Sequence, residues 1–205
     1  MRINIKCLCG VNFQFEYEKE IDIDQKNEYL DEIFNGTFMC KACPACGKKH
    51  KPEFKIIINW KSKNLKMEVL PETERVGFYK DNKKDKPLYE TIIGFPEMAD
   101  RLAVIKDDLE PVVIETLKSF LLIKAAENYP DMEINAWYHS KGQQGIEFHL
   151  DGIRQGETAV MRIPNELYDK TLNDYKSRPK NEMYAPLRVR SYLSVQNVFR
   201  SDILK

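Results

Sequence analysis

Five cysteines, Cys7, Cys9, Cys40, Cys43 and Cys46, all fall in the first quarter of the 205-residue chain. Thiolates are the softest side-chain ligands, and two tight clusters separated by about thirty residues can close as chelating loops on one ion. Cys43-Pro44-Ala45-Cys46-Gly47 has C-x-x-C spacing with proline inside and glycine after. Two sulfurs so spaced can reach one tetrahedral ion at about 2.3 Å each, while backbone N–H groups of the turn point at them. Cys7-Leu8-Cys9-Gly10 is the matching half; it also ends in Cys-Gly, but its C-x-C spacing is one residue short. Sulfur donors with no carboxylate in the cluster favour Zn2+ over Mg2+ or Ca2+. The preferred ligand set is Cys7, Cys9, Cys43 and Cys46, because each pair then carries a trailing glycine. Cys40 is the alternative ligand, since Cys40-Lys41-Ala42-Cys43 is an overlapping C-x-x-C, and His50 is a more distant candidate. A disulfide framework would want an even count spread through the fold, which this chain lacks. Ordinary reduced thiols are the plainer alternative, but paired clusters of this kind seldom arise for packing alone. Four sulfurs leave no coordination position for water or substrate, so the expected zinc is structural, coupled to folding of the first seventy residues.

The elements that must position these sulfurs read as strands. Ile3 and Ile5 alternate with polar residues before Cys7, and Val11, Phe13, Phe15 and Tyr17 alternate after Cys9. Asp24–Phe34 reads as a helix capped by Asp24, with Tyr29, Leu30, Ile33 and Phe34 on one face and Asn35-Gly36 as its stop. After the second cysteine loop, Phe54, Ile56 and Ile58 with Leu65, Met67 and Val69 predict a second hairpin. Residues 71–94, with Pro71, Pro87, Gly77, Gly94 and the charged tract 80–86, read as an irregular excursion or linker with a short strand at 89–93. Helices are expected at 96–106 and 109–128. The second takes Asp108 as cap and Pro111 in its first turn, and its face of Val113, Leu117, Phe120, Leu121 and Ile123 makes it the central helix. Three strands follow, around Ala136, Phe148 and Met161, as an antiparallel meander turned at glycines. A helix from Pro164-Asn165 to about Tyr175, a strand at 187–190 and a terminal helix at 195–204 complete the reading. The expected fold is therefore α+β, with zinc-ribbon-like N-terminal β-hairpins and a short helix, followed by helices and a small antiparallel sheet. The expected organisation is 1–70 as the cysteine module, 71–94 as the excursion and 95–205 as the α+β part, or one continuous domain.

The order C-x-C-G, acidic helix, C-P-x-C-G and then β-rich chain resembles the CpXC family of bacterial and archaeal proteins. The likeness is most specific at Cys43-Pro44-Ala45-Cys46-Gly47 and continues loosely from Asp107-Asp108-Leu109-Glu110 to Ile114-Glu115-Thr116-Leu117-Lys118. The resemblance implies zinc binding through paired cysteine motifs; the family itself has no assigned function. The first motif here departs from the pattern, since Cys7-Leu8-Cys9 lacks the proline and one spacer residue.

Composition bounds the function. Lys+Arg and Asp+Glu number 32 each, a net charge of zero, which argues against a dedicated nucleic-acid binder. Met1–Cys7 has no apolar core for a secretory signal, and Phe120–Ile123 is far short of a bilayer span, so a cytoplasmic protein without a membrane is the expectation. Residues 41–66 carry a balance of +7 and residues 16–32 one of −6, so the two arms are expected to attract each other. The lysine arm with Trp60 is the alternative nucleic-acid surface. Arg188, Arg190 and Tyr192 alternate from the 187–190 strand onward, as a polar outward face or a site for an anion or an acidic partner. His139 and His149 lie on neighbouring strands, but a regular turn near Gly142-Gln143 would set His149 opposite Ala136, against a two-histidine metal site. No nucleophile elbow, phosphate loop, dinucleotide fingerprint or H-E-x-x-H pattern is present, so nothing supports an enzyme. The leading expectation is a non-enzymatic module that binds a protein partner. A nucleic-acid binder and a thiol redox or zinc sensor using Cys40 are the alternatives.

Overall fold

Alternation of Ile3 and Ile5 with polar neighbours folds Arg2–Lys6 into strand β1, antiparallel to β2 at Asn12–Glu16, in a computed structural model that describes residues 1–81 and 89–199. Ile5 faces Phe13 and Ile3 faces Phe15 across this hairpin. The described residues form two units, 1–81 with 89–99 and 100–199. In the first unit follow β3 (Glu20–Asp22), α1 (Glu28–Phe34), β4 (Lys41–Ala42), β5 (Lys49–His50), β6 (Ile56–Trp60) and β7 (Leu65–Leu70). Then come α2 (Arg75–Lys80) and β8 (Glu90–Ile93). β4 and β5 form a second small hairpin, while β6 pairs antiparallel with β7, parallel with β3, and β7 runs parallel to β8. Ile21, Ile56, Ile58, Met67, Val69, Ile92 and Ile93 are buried along that sheet.

Helix α1 starts four residues later than the sequence suggests. Asp24 does not cap it: its carboxylate accepts from the backbone N–H of Ser62 at 3.1 Å and from the Ser62 hydroxyl, and only Ile33 of α1 is buried. Ser62 outcompetes the helix because the 61–63 turn carries it up to the carboxylate. Trp60 is 7% exposed and pairs with Leu65, so it is core and offers no stacking surface to a base. Of the segment 71–94, the described part contains α2 and β8; the tract and Pro87 within 82–88 lie outside the described residues. Arg75 anchors α2 with its guanidinium buried against Glu72, the Ile93 carbonyl at 3.1 Å and Glu97 at 2.6 Å.

The second unit begins within α3 (Phe95–Lys106), between Ala99 and Asp100. Next come α4 (Pro111–Asn128), β9 (Asn135–Gly142), β10 (Gly145–Arg154), β11 (Glu157–Ile163) and α5 (Asn165–Ser177). It continues with β12 (Arg188–Val189), β13 (Tyr192–Leu193) and α6 (Gln196–Phe199); the rest of the expected terminal helix, 200–204, lies outside the described residues. The three long strands form the antiparallel meander β9-β10-β11, and Ala136, Tyr138, Phe148 and Leu150 cluster with Val113 and Leu117 of α4. Glu110, not Asp108, caps α4, accepting from Val112 N at 3.5 Å; Asp108 has φ 54 in the turn before it. The expected apolar face is also corrected. Phe120 and Ile123 are 38% and 50% exposed, whereas Glu115 and Lys118 are buried. Tyr192 is fully buried and Arg190 has φ 56 in the β12–β13 turn, so Arg188, Arg190 and Tyr192 share no polar face.

The β9–β10 ladder holds an irregularity that the sequence does not announce. Ser140 faces Glu147 and Tyr138 faces Phe148, so His139 is an extra residue between them, a β-bulge. The turn closes between Gly142 and Gly145, one position later than Gly142-Gln143, and the bulge then moves the partner of His149 from Tyr138 to Trp137. His149 therefore does not face Ala136, and the two histidine rings stack with centroids 3.9 Å apart. Farther along β10, Gly152 has φ +98, and a Cβ there would overlap the Glu133 carbonyl oxygen. Gly152→Ala should lower stability by roughly 2 kcal/mol, read as a reduced urea midpoint with an unchanged slope. An unchanged midpoint would show that the strand end tolerates rearrangement.

Candidate metal centre

Each pair of cysteines lies in the turn of a two-stranded hairpin. Cys7 and Cys9 connect β1 to β2, where Cys7 N donates to Val11 O and Gly10 N to Cys7 O, both at 2.9 Å. Cys43 and Cys46 connect β4 to β5, where Cys43 N donates to Lys48 O at 2.8 Å and Gly47 N to Cys43 O at 2.9 Å. Gly10 and Gly47 have φ +93 and +70, the left-handed conformation that lets each turn fold back under its sulfurs. Lys41 Nζ donates to Gln14 O at 2.8 Å, tying one hairpin to the other.

The four sulfurs of Cys7, Cys9, Cys43 and Cys46 lie within 4.8 Å of one another. The Cys7–Cys46 Sγ distance is 3.6 Å and that of Cys9–Cys43 is 3.7 Å. Sulfurs bound tetrahedrally at about 2.3 Å stand roughly 3.8 Å apart, so these donors and spacings fit a zinc ion. The first cysteine of each pair, Cys7 or Cys43, is 2% exposed and packs with Phe13, while Cys9 and Cys46 face solvent. Backbone N–H groups of Cys46 and then Ala45 point at the Cys43 sulfur and lower its thiol pKa to about 7. The Val11 N–H favours the Cys9 thiolate, but hydrogen bonding with Cys7, loss of water and contacts with Cys46 and Cys43 push that thiol up to about 12. The Cys9 sulfur thus holds a proton that a cation would displace.

Cys40 stands outside this group. It is half-buried and lines a cavity of about 420 Å³ with Tyr17, Tyr29 and Phe38. His50 Nε2 lies 3.3 Å from Cys7 Sγ, and its ring packs on the edge of Phe13 at 5.4 Å. That distance places the imidazole within hydrogen-bonding reach of the Cys7 sulfur, from outside the group of four. Its place in the β5 strand after Lys48-Lys49 is visible in the sequence, but its partner is not.

The model of the family described as CpXC protein matches residues 5–118, more than half of the chain and both cysteine pairs. The chain belongs to the CpXC family. An "Uncharacterized protein" of Treponema pallidum (strain Nichols) is 29% identical over 217 residues, covering 96% of this chain and 98% of that protein. No solved structure matches. In this CpXC protein, Cys-Pro-x-Cys is complete only at Cys43–Cys46, yet the shorter Cys7-Leu8-Cys9 turn still carries its two sulfurs to the cluster. Among the described residues no helix is long and apolar enough to cross a membrane.

Two groups escape a reading of the sequence. The first is a charged core in the second unit, where Lys118 Nζ meets Asp100 and donates to Glu115 Oε1 at 2.9 Å. Glu115 Oε2 also accepts from Val195 N at 2.7 Å, and Asp100 Oδ1 from Tyr138 N at 2.6 Å. The available signal is the i,i+3 spacing of Glu115 and Lys118 inside an otherwise apolar helix. The second is the trio His139, Glu147 and His149, which the bulge assembles.

Proposed function

We propose that this CpXC protein binds one structural Zn2+ through Cys7, Cys9, Cys43 and Cys46, and that the clamped hairpins act as a non-enzymatic, cytoplasmic module for a protein partner. The observation that carries the zinc reading is the match between the sulfur separations of 3.6 and 3.7 Å and the edge of a ZnS4 tetrahedron. Zinc supplies cross-linking of two hairpins too small to bury a core of their own. Cys7 and Cys43 hold the inner side of the cluster, Cys9 and Cys46 the outer side, and His50 steadies the Cys7 sulfur. Reduced thiolates require a reducing compartment, which favours the cytoplasm. Leu8, 86% exposed at the tip of the first turn, is the kind of apolar side chain that a partner covers.

Elemental analysis of the purified chain should give one zinc per molecule. No zinc, or zinc that survives loss of Cys43 and Cys46 together, would overturn the metal reading. A partner recovered with the zinc-loaded chain should dissociate when a chelator strips the ion; a complex indifferent to chelation would overturn the module reading.

A nucleic-acid surface is the second reading, favoured by one observation. Lys48, Lys49 and Lys51 are exposed beside the second turn, with no ion-pair partner among the described residues. Their arm is otherwise neutralised in part, since Lys61 pairs with Asp22 at 3.1 Å and Lys66 with Glu20 at 3.8 Å. Such a surface would show an affinity that falls steeply with salt.

A further inference from the structure

The outer face of the β9-β10-β11 sheet holds a second set of metal-binding side chains, remote in sequence from the cysteines. Glu147 and His149 are two residues apart on β10 and therefore point to the same side. Opposite them β9 carries its bulge, and the inserted residue is a histidine. The result is a cluster of three donors, with Glu147 Oε1 3.3 Å from His149 Nε2 and 3.8 Å from His139 Nε2. All three ligand atoms lie within 4.8 Å of one another. Donors that share a tetrahedral ion at about 2.0–2.1 Å stand roughly 3.3–3.4 Å apart, close to the observed spacing. The imidazoles, however, are stacked with 14° between their planes, so His139 must rotate out of the stack to aim its in-plane lone pair at the same ion as His149. That side chain is 52% exposed and has room to rotate.

We propose that His139, Glu147 and His149 form a second metal site, one that takes a borderline divalent transition metal such as Zn2+ or Ni2+ and leaves open positions for water. Two imidazoles and one carboxylate are the donor set such ions prefer over Mg2+ or Ca2+, and three protein ligands leave coordination positions vacant. The two carboxylate oxygens of Glu147 divide their work. Oε1 faces the imidazoles, while Oε2 accepts from Arg162 Nη2 at 2.8 Å. Arg162 is itself held by Gln144 Oε1 at 3.0 Å. A ligating carboxylate fixed from behind by a hydrogen-bonded partner is the usual outer layer of a metal site. The bulge explains the assembly, since an unbroken ladder continued from the Glu147–Ser140 pair would set His139 opposite the buried Phe148, on the other face from His149.

The test uses the full chain, equilibrated with zinc and freed of excess metal, titrated with Ni2+ by calorimetry and by tryptophan fluorescence. Trp137 faces His149 across the strands and reports on this site, with Trp137→Phe defining the background from Trp60. One saturable equivalent beyond the cysteine-bound zinc is expected, accompanied by quenching of Trp137. His139→Gln, His149→Gln and Glu147→Gln should each weaken that step by more than about tenfold, and Arg162→Ala by about tenfold. The step should persist in Trp137→Phe by calorimetry with the quenching lost. No saturable Ni2+ step, or one unchanged in the His139→Gln/His149→Gln double variant, would overturn the proposal and leave an ordinary ion-paired histidine stack. Because only the quenching that Trp137→Phe removes is assigned to this site, failure of the cysteine site to bind zinc would leave this result interpretable.

Discussion

Lys118→Met should destabilise the second unit by about 3–5 kcal/mol, measured as the fall in unfolding free energy in urea. Lys118 is 3% exposed and sits between two carboxylates that are themselves out of water, Asp100 at 7% and Glu115 at 4%. Burial raises the Asp100 carboxyl above its ordinary range, even beside Lys118. Burial also opposes ionisation of Glu115, but Lys118 and then Arg101 together hold its carboxyl below the usual range. The ammonium is thus what allows the carboxylates to share the interior. Methionine keeps the volume and removes the charge, leaving Glu115 with Arg101 at 3.7 Å and Asp100 with the Tyr138 amide at 2.6 Å. A loss below about 1 kcal/mol would show that water reaches the group, because solvated ion pairs contribute no more than that. The effect should reach distant elements together, since Asp100 holds the Tyr138 amide and Glu115 the Val195 amide.

Cys43→Ser should abolish zinc binding and release both small hairpins, with amide protection lost across Arg2–Lys6, Asn12–Glu16 and the turn from Cys43 to Gly47. Structural zinc in small modules contributes about 10–16 kcal/mol of apparent binding energy, far more than two short hairpins recover by packing. The apolar cluster beneath the sulfurs is correspondingly small: beyond the two buried cysteines, only Phe13 is buried there, with Ile5 and Val11 half-covered. Cys40→Ser is the contrasting variant. It should leave the zinc content at one per chain, because Cys40 lies outside the group of sulfurs within 4.8 Å of one another. Hydrogen exchange and elemental analysis on both variants check the pair of expectations, and equal zinc loss from both would overturn the proposed ligand set. Uptake should weaken as the solution is acidified, because four sulfurs must shed their protons to bind.

The sequence is most readable where a single periodicity decides the outcome. Ile3, Ile5, Phe13 and Phe15 alternate in one hairpin, and Ile56, Ile58, Met67 and Val69 in the next, and both form as expected. The grouping of cysteine pairs is legible because each pair occupies a few consecutive residues, so local turns alone determine its shape. Long-range partners are not. Asp24 reads as a helix cap because nothing local reveals Ser62 beside it. Glu115 and Lys118 stay off any sequence-based core because pattern reading assigns every charge to water, yet each charge has a partner that can replace water. The histidine pair escapes because the turn closes one position later than Gly142-Gln143, and because counting back from it assumes an uninterrupted ladder in which His139 takes no extra place.

That one-residue offset has a consequence for how the histidine pair relates to the sheet beneath it. Ser140 faces Glu147 and Tyr138 faces Phe148, so the partners on either side of His139 are already consecutive on β10. A chain shortened by that single position would close into a continuous ladder with every remaining side chain on its present face. The imidazole is therefore an accessory to a sheet that is complete in its absence, and it could be gained or discarded without asking the core to adapt.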